Sequence, residues 1–140
     1  MSYEELPHTA DIRIRAEAAT LSALFADLTA ALMEALYGKA PANAAVINRV
    51  TKEISTDGDD LASLLLNYLS EVLYVSEVES TVFFHAEVMI RNHSLHAILT
   101  GEPFDPARHA GGTEVKGISY SGLVVRKEAN GYMAEIVFDV

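Results

Sequence analysis

Asp11-Ile12-Arg13-Ile14-Arg15-Ala16, followed after Thr20 by Leu21-Ser22-Ala23-Leu24-Phe25-Ala26-Asp27-Leu28, changes its hydrophobic period within one short stretch. Ile12, Ile14 and Ala16 alternate with Asp11, Arg13 and Arg15, the pattern of a half-buried strand. Leu21, Leu24, Phe25, Leu28, Leu32, Ala35 and Leu36 then recur at helical spacing. Thr20 fits an N-cap and Gly38 a stop, which predicts a helix over 21–37. Just ahead of the strand, His8-Thr9-Ala10-Asp11 sets an imidazole, a hydroxyl and a carboxylate where alternation alone asks for no polar cluster.

The same alternation of periods continues along the chain. Val46 to Ser55 reads as a strand after a Pro/Ala/Asn loop. Asp57-Gly58-Asp59-Asp60 lacks the spacing and closing Glu of an EF-hand and reads as an acidic helix N-cap. Leu61, Leu64, Leu65, Tyr68, Leu69, Val72 and Leu73 mark the second helix. From Thr81 the chain is β-rich. Phe84, Ala86, Val88 and Ile90 alternate with Phe83, His85, Glu87 and Met89, Arg91-Asn92-His93-Ser94 is a turn, and Leu95, Ala97 and Leu99 start the next strand. The loop of residues 101–112 follows, and residues 113–140 form a hairpin closed by Asn130-Gly131. The reading is one α+β domain over residues 1–140: a mixed, largely antiparallel sheet with two amphipathic helices packed on one face.

A two-residue turn at Asn130-Gly131 pairs Ala129 with Tyr132 and sets Arg126 opposite Glu135. Leu123 and Val125 then share a core face with Ile136 and Phe138. Gly122 falls opposite Asp139 and Ser121 opposite Val140. Without a bulge, Lys116 lies on the face of Asp139.

Composition narrows the function. Half of the 140 residues are hydrophobic, so a sizeable core forms. With no cysteine, disulfides and thiolate metal sites are excluded. The formal charge of −10 repels phosphate backbones, so strong direct nucleic-acid binding is not expected, whereas a cation or a basic partner is. The acidic N-terminus has no signal-peptide pattern and no unbroken apolar run has the length of a membrane span, so a cytoplasmic protein with no membrane contact is expected.

The sequence stops at Asp139-Val140, which sets a terminal carboxylate beside a side-chain carboxylate. Bringing Asp11 to them clusters negative charge around an oxygen-only site suited to Ca²⁺, Mg²⁺ or Mn²⁺. Asp11 suits a turn cap as well, and Asp139 a solvated strand end. His93 and His96 straddle a turn and lack a third ligand at useful distance. Glu102, Asp105 and His109 in the 101–112 loop offer two acids and a base, the raw material of a small hydrolase, although two prolines and three glycines favour a structured loop. G-x-S-x-G, P-loop and G-x-G-x-x-G patterns are absent, which favours a binding or accessory domain over an enzyme.

Taken together, these segments resemble the archease family. The resemblance runs nearly end to end: His8-Thr9-Ala10-Asp11-Ile12, the Leu/Ala-rich first helix, Asp60-Leu61 through Tyr68-Leu69-Ser70-Glu71-Val72-Leu73-Tyr74, Gly101-Glu102 with Asp105 and His109, Glu114-Val115-Lys116-Gly117-Ile118-Ser119-Tyr120, and Ile136-Val137-Phe138-Asp139-Val140. It implies a non-enzymatic, metal-binding accessory protein of the GTP-dependent RNA-splicing ligase, promoting ligase guanylylation and multiple turnover in tRNA splicing and RNA repair. Chaperone and tRNA-modification roles are the alternatives in the family. The resemblance also implies metal ligands at Asp11, Asp139 and the carboxylate end at Val140, with Ca²⁺ ahead of Mg²⁺ or Mn²⁺. Lys116 corresponds to a functionally important lysine, and His8, Glu102, Asp105 and His109 fall in family motifs. Three positions depart from the family pattern: Tyr68 stands for a usual Trp, Ser121 for a usual His, and Gly117 for a usual Ala.

Overall fold

The computed structural model describes residues 3–6, 11–39 and 45–140. Among these residues, seven strands and two helices follow the order β1 (Tyr3–Leu6), β2 (Asp11–Ala18), α1 (Leu21–Tyr37), β3 (Val50–Asp57), α2 (Leu61–Val78), β4 (Thr81–Arg91), β5 (Ser94–Pro103), β6 (Gly117–Glu128) and β7 (Gly131–Asp139). The α+β class, the antiparallel pairing and the two helices are as read from the sequence. The local signals behave as chemistry predicts. Thr20 Oγ1 accepts the Ala23 N–H at 3.1 Å and Asp60 Oδ1 the Ser63 N–H at 2.8 Å, each satisfying an orphan donor of a helix start.

The layering differs from a single sheet covered on one face. The described strands form two sheets, ordered β1-β2-β7-β6 and β3-β5-β4, and every described pairing is antiparallel. Both helices touch strands of both sheets. Their burial explains why. On α1, Leu24, Phe25, Leu28, Thr29, Ala31, Leu32 and Met33 are buried. At 3.6 residues per turn these cover roughly half the circumference, wider than the ~100° stripe that one sheet face requires. The buried arc of α2, from Leu64 to Ser76, is of similar width. Among the described residues α2 is the one helix long and apolar enough to cross a membrane, with mean hydropathy 1.2. In this fold Leu64, Leu65, Tyr68, Leu69 and Val72 are buried in the core.

Tyr68 sits at the centre of that core, fully buried and stacked on Phe25 at 6.0 Å. The Thr29 hydroxyl donates to Phe25 O at 2.8 Å, so the Tyr68 hydroxyl is the donor of its 2.7 Å bond to Thr29 Oγ1. Burial pushes the Tyr68 hydroxyl pKa up to about 12. The hydroxyl that distinguishes Tyr68 from a tryptophan is thus satisfied across the α1–α2 contact.

The hairpin register is shifted. Glu128 pairs with Gly131, so Ala129-Asn130 forms the turn, and Arg126 faces Met133 instead of Glu135. A slip of two residues leaves every side chain on its face, so the hydrophobic pattern does not choose between the registers. Accordingly Ala134, Ile136 and Phe138 are buried with Leu123 and Val125 packed beside them, as expected. Glu135 instead finds Arg13 across β2, at 3.7 Å. A bulge between Ser119 and Val124 then moves the pairing again, so Asp139 faces Gly117, not Gly122, and Ser121 is not opposite Val140.

Candidate functional site

Antiparallel pairing of β2 with β7 sets Asp11 directly opposite Asp139. The next pair, Ile12 and Phe138, turns into the core, so both carboxylates lie on the outward face of the sheet. On the other side of β7 lies Gly117 of β6, where a Cβ would meet nothing within 4 Å. The row Asp11–Asp139–Gly117 therefore offers two carboxylates beside open space. Cβ atoms of directly opposed residues lie ~4.5–5.5 Å apart, and like charges at that distance repel. A hard cation between them removes the repulsion, and oxygen-only donors suit Ca²⁺ or Mg²⁺. The donor types fit such an ion, while the pair alone supplies a minority of the roughly six to eight oxygens calcium takes. Among the described residues no group of three or more His, Asp or Glu side chains is arranged to hold a metal. Val140 is adjacent and 39% exposed. His8 and Thr9 lie outside the described residues.

Lys116 reaches this row by a different route from the one expected. The bulge breaks the count by twos that put its side chain on the face of Asp139. Instead its backbone N–H donates to Asp139 O at 2.7 Å, and its side chain is exposed. The neighbouring Val115 is 1% exposed and anchors the segment in the core.

The remaining loop residues form a lock. Glu102, 1% exposed, accepts from Arg108 Nε at 2.9 Å, from Arg108 Nη2 at 3.3 Å and from the Ile47 N–H at 3.1 Å. His109 Nδ1 accepts the Asp105 N–H at 2.8 Å, so in the neutral ring Nε2 carries the proton and donates to Glu102 at 2.8 Å. Asp105 Oδ1 accepts the Ala107 N–H at 3.0 Å, a turn cap. Burial works to raise the Glu102 pKa, but the bonds from Arg108, Ile47 and His109 outweigh it and hold the carboxyl below its ordinary range. Both nitrogens of the buried His109 ring are engaged, and Phe104, Tyr37 and Phe84 surround it at 5.8–6.4 Å. As held, this imidazole has no free lone pair to take a proton from a substrate, so the geometry gives Glu102, Asp105 and His109 a loop-fixing role. Sequence reading passed over Arg108; a basic residue between two acids and a histidine was the available signal. His96 likewise bonds protein groups, Glu53 at 3.0 Å and Ser55 at 2.9 Å.

Between the lock and Lys116 the chain runs along the end of α1. The Gly111 and Thr113 N–H groups donate to Tyr37 O and Ala35 O, two of the carbonyls a helix C-terminus leaves unpaired. Gly112 lies so close that a Cβ there would stand 2.0 Å from Leu36 O. Gly112→Ala is therefore expected to cost about 1–3 kcal/mol in urea unfolding, because backbone on both sides of the contact must shift. An unchanged midpoint would mean the strap is not held against the helix.

Comparison with known proteins gives a consistent result. Residues 3–140 match the Archease protein family (MTH1598/TM1083). The chain is 34% identical to the protein archease of Methanosarcina acetivorans, over 99% of this chain and 95% of that one. It is 34% identical to that of Pyrococcus abyssi, covering 99% and 98%. A protein archease-like of Drosophila melanogaster is 32% identical, covering 100% and 91%. The solution structure of Methanobacterium thermoautotrophicum protein 1598 superposes with a TM-score of 0.77 over 99% of both chains, at 23% identity, and shares the fold.

Proposed function

Since this chain belongs to the archease family, we propose that it is a non-enzymatic, metal-binding accessory protein that activates a GTP-dependent RNA-splicing ligase. In this reading it promotes guanylylation of the ligase and sustains multiple turnover in tRNA splicing and RNA repair. The observation that carries the reading is the opposition of Asp11 and Asp139 across β2 and β7, with Lys116 bonded to the Asp139 backbone. Opposed carboxylates repel at this spacing, and a cation or a cationic partner placed between them relieves the repulsion. Asp11 and Asp139, with oxygen atoms of Val140 beside them, hold Ca²⁺, and the exposed Lys116 side chain stands ready for an anionic group such as a nucleotide phosphate. The formal charge of −10 accords with a basic protein partner and disfavours direct RNA binding. The protein acts in the cytoplasm.

The test is the purified ligase with RNA and GTP, with and without the protein. Guanylylated ligase and ligated product per ligase are expected to rise when the protein and a divalent cation are added. Lys116→Ala should remove most of that gain with the unfolding midpoint unchanged, because its side chain is exposed and its backbone bond survives. No effect of the wild-type protein on either quantity sinks the proposal.

A further inference from the structure

β4 begins with a bulge that borders a cavity at the end of α1. Phe83 pairs with Gly101 and His85 with Thr100, so Phe84 is one residue too many for the ladder. The bulge is built into the sequence. A Cβ on Gly101 would stand 1.9 Å from Val82 O and 2.7 Å from Phe83 Cα, so the strands approach this closely only at a glycine. The result sets two consecutive aromatic rings, the buried Phe83 and the exposed Phe84, on one cavity. Bulges recur beside binding sites because they re-aim side chains in this way.

The cavity has a volume of about 170 Å³. One of ~150 Å³ accepts a benzene ring, so there is room here for a single planar ring. Tyr37 and His109 add to its walls. Both nitrogens of His109 are engaged, which leaves the flat ring as its contribution. The lock around Glu102 thus gains a second role, holding His109 and Arg108 on the cavity. Two polar groups stand out. Glu34 Oε2 accepts from the Tyr3 hydroxyl, and among the described residues no group donates to Oε1. Lys39 lines the cavity with an exposed side chain. Tyr3, Glu34 and Lys39 also border a wider groove of about 850 Å³ that continues along Gly112 and Thr113, which leaves space for whatever a bound ring carries.

Each feature selects one property of the guest. Aromatic walls favour a flat ring, the Glu34 carboxylate an N–H donor, and Lys39 a negative charge. We infer that this cavity binds a planar heteroaromatic ring that carries an N–H donor and an anionic substituent. A cationic guest caged by the same aromatics is disfavoured, because Lys39 and Arg108 already bring positive charge to the cavity. Nucleotides and indole-bearing amino acids share the inferred chemistry, with phosphate or carboxylate as the anion. The site is separate from the Asp11–Asp139 row, and the inference requires neither a metal nor a ligase.

The experiment titrates the ¹⁵N-labelled full chain with N-acetyltryptophan, with GMP and with 1-naphthylacetate, which has a ring and an anion but no N–H donor. N-acetyltryptophan or GMP is expected to shift the amides of Gly38, Phe84 and His109 saturably, and the one that does so names the source. Glu34→Gln should weaken that binding about tenfold and leave 1-naphthylacetate within about threefold of wild type. Lys39→Ala should weaken both anions about two- to fivefold, as loss of an exposed charge does. Ala30 also lines the cavity, so Ala30→Leu fills it and should lower every affinity at least about tenfold with the urea midpoint unchanged or raised. No saturable shift with either donor-bearing probe, or shifts confined to another part of the chain, overturns the inference. So does wild-type affinity in a folded Ala30→Leu protein. Equal losses for all three probes in Glu34→Gln overturn the donor assignment by giving Glu34 a structural role. If Ala30→Leu does not fold, Glu34→Gln and Lys39→Ala decide the matter alone.

Discussion

Asp139→Asn is expected to lower divalent-cation affinity at least tenfold and, in cation-free buffer, to stabilise the fold by about 0.2–1 kcal/mol. The two effects have one cause. Asp11 and Asp139 face each other across adjacent strands, so their charges repel without a cation, and in the proposed function they are its ligands. Asparagine keeps the shape and removes one charge. The same substitution should abolish the calcium-dependent rise in the unfolding midpoint, which in wild type follows from binding to the folded state alone. Calcium titration calorimetry and urea unfolding with and without EDTA check the pair. Unchanged calcium affinity would place the cation elsewhere; a destabilised cation-free variant would mean that the Asp139 carboxylate makes a favourable contact instead of a repulsive one. In the ligase assay the variant should behave as protein lacking its metal.

Glu102→Ala is expected to cost about 3–5 kcal/mol, the largest single effect among these residues. One truncation strands the Arg108 guanidinium, the His109 Nε2–H and the Ile47 N–H, which now converge on one buried carboxylate. The Ile47 backbone lies far along the chain, so the loss also frees the segment before β3. The pH dependence follows from the same bonds. The folded-state pKa of Glu102 is depressed, because its hydrogen bonds outweigh the burial that opposes them. Its stabilisation is therefore fully present above the ordinary glutamate pKa of about 4 and is lost as pH falls below that value through the folded-state pKa. Urea midpoints between pH 7 and pH 3 should fall more steeply for wild type than for Glu102→Ala at the acid end. Parallel curves would show that the Glu102 carboxyl has the same pKa in the folded and the unfolded protein, so that its bonds do not outweigh its burial.

Lys116 shows how a sequence reading and the structure part company; it lies in Glu114-Val115-Lys116-Gly117-Ile118-Ser119-Tyr120, a segment that carries the family resemblance. The proximity of Lys116 to Asp139 is legible in the sequence, where it follows from a count by twos along an uninterrupted hairpin. The structure reaches the same neighbourhood through a bulge that inserts residues 120–123 against Ile136 and brings a backbone bond, not a shared face, to Asp139. The same bulge removed Ser121 from the place opposite Val140.

What the sequence determined by itself are the features written in short-range chemistry. Both helices and their caps at Thr20 and Asp60, the core face of β7 and the α+β class follow from periodicity and from side chains that satisfy nearby backbone groups. Asp11, Asp139 and Lys116 stand out in the sequence by their places at strand ends and in the hairpin, the family resemblance gives the reason to bring them together, and the opposition of Asp11 to Asp139 needed the β2–β7 pairing. Only the tertiary structure decided how the strands divide between two sheets, where the hairpin turns, and that Arg108, His109 and the Ile47 backbone close on Glu102. The physical reason is degeneracy. A two-residue slip preserves every face, an amphipathic stripe does not say how many sheets will cover it, and a buried carboxylate finds its donors wherever the fold delivers them.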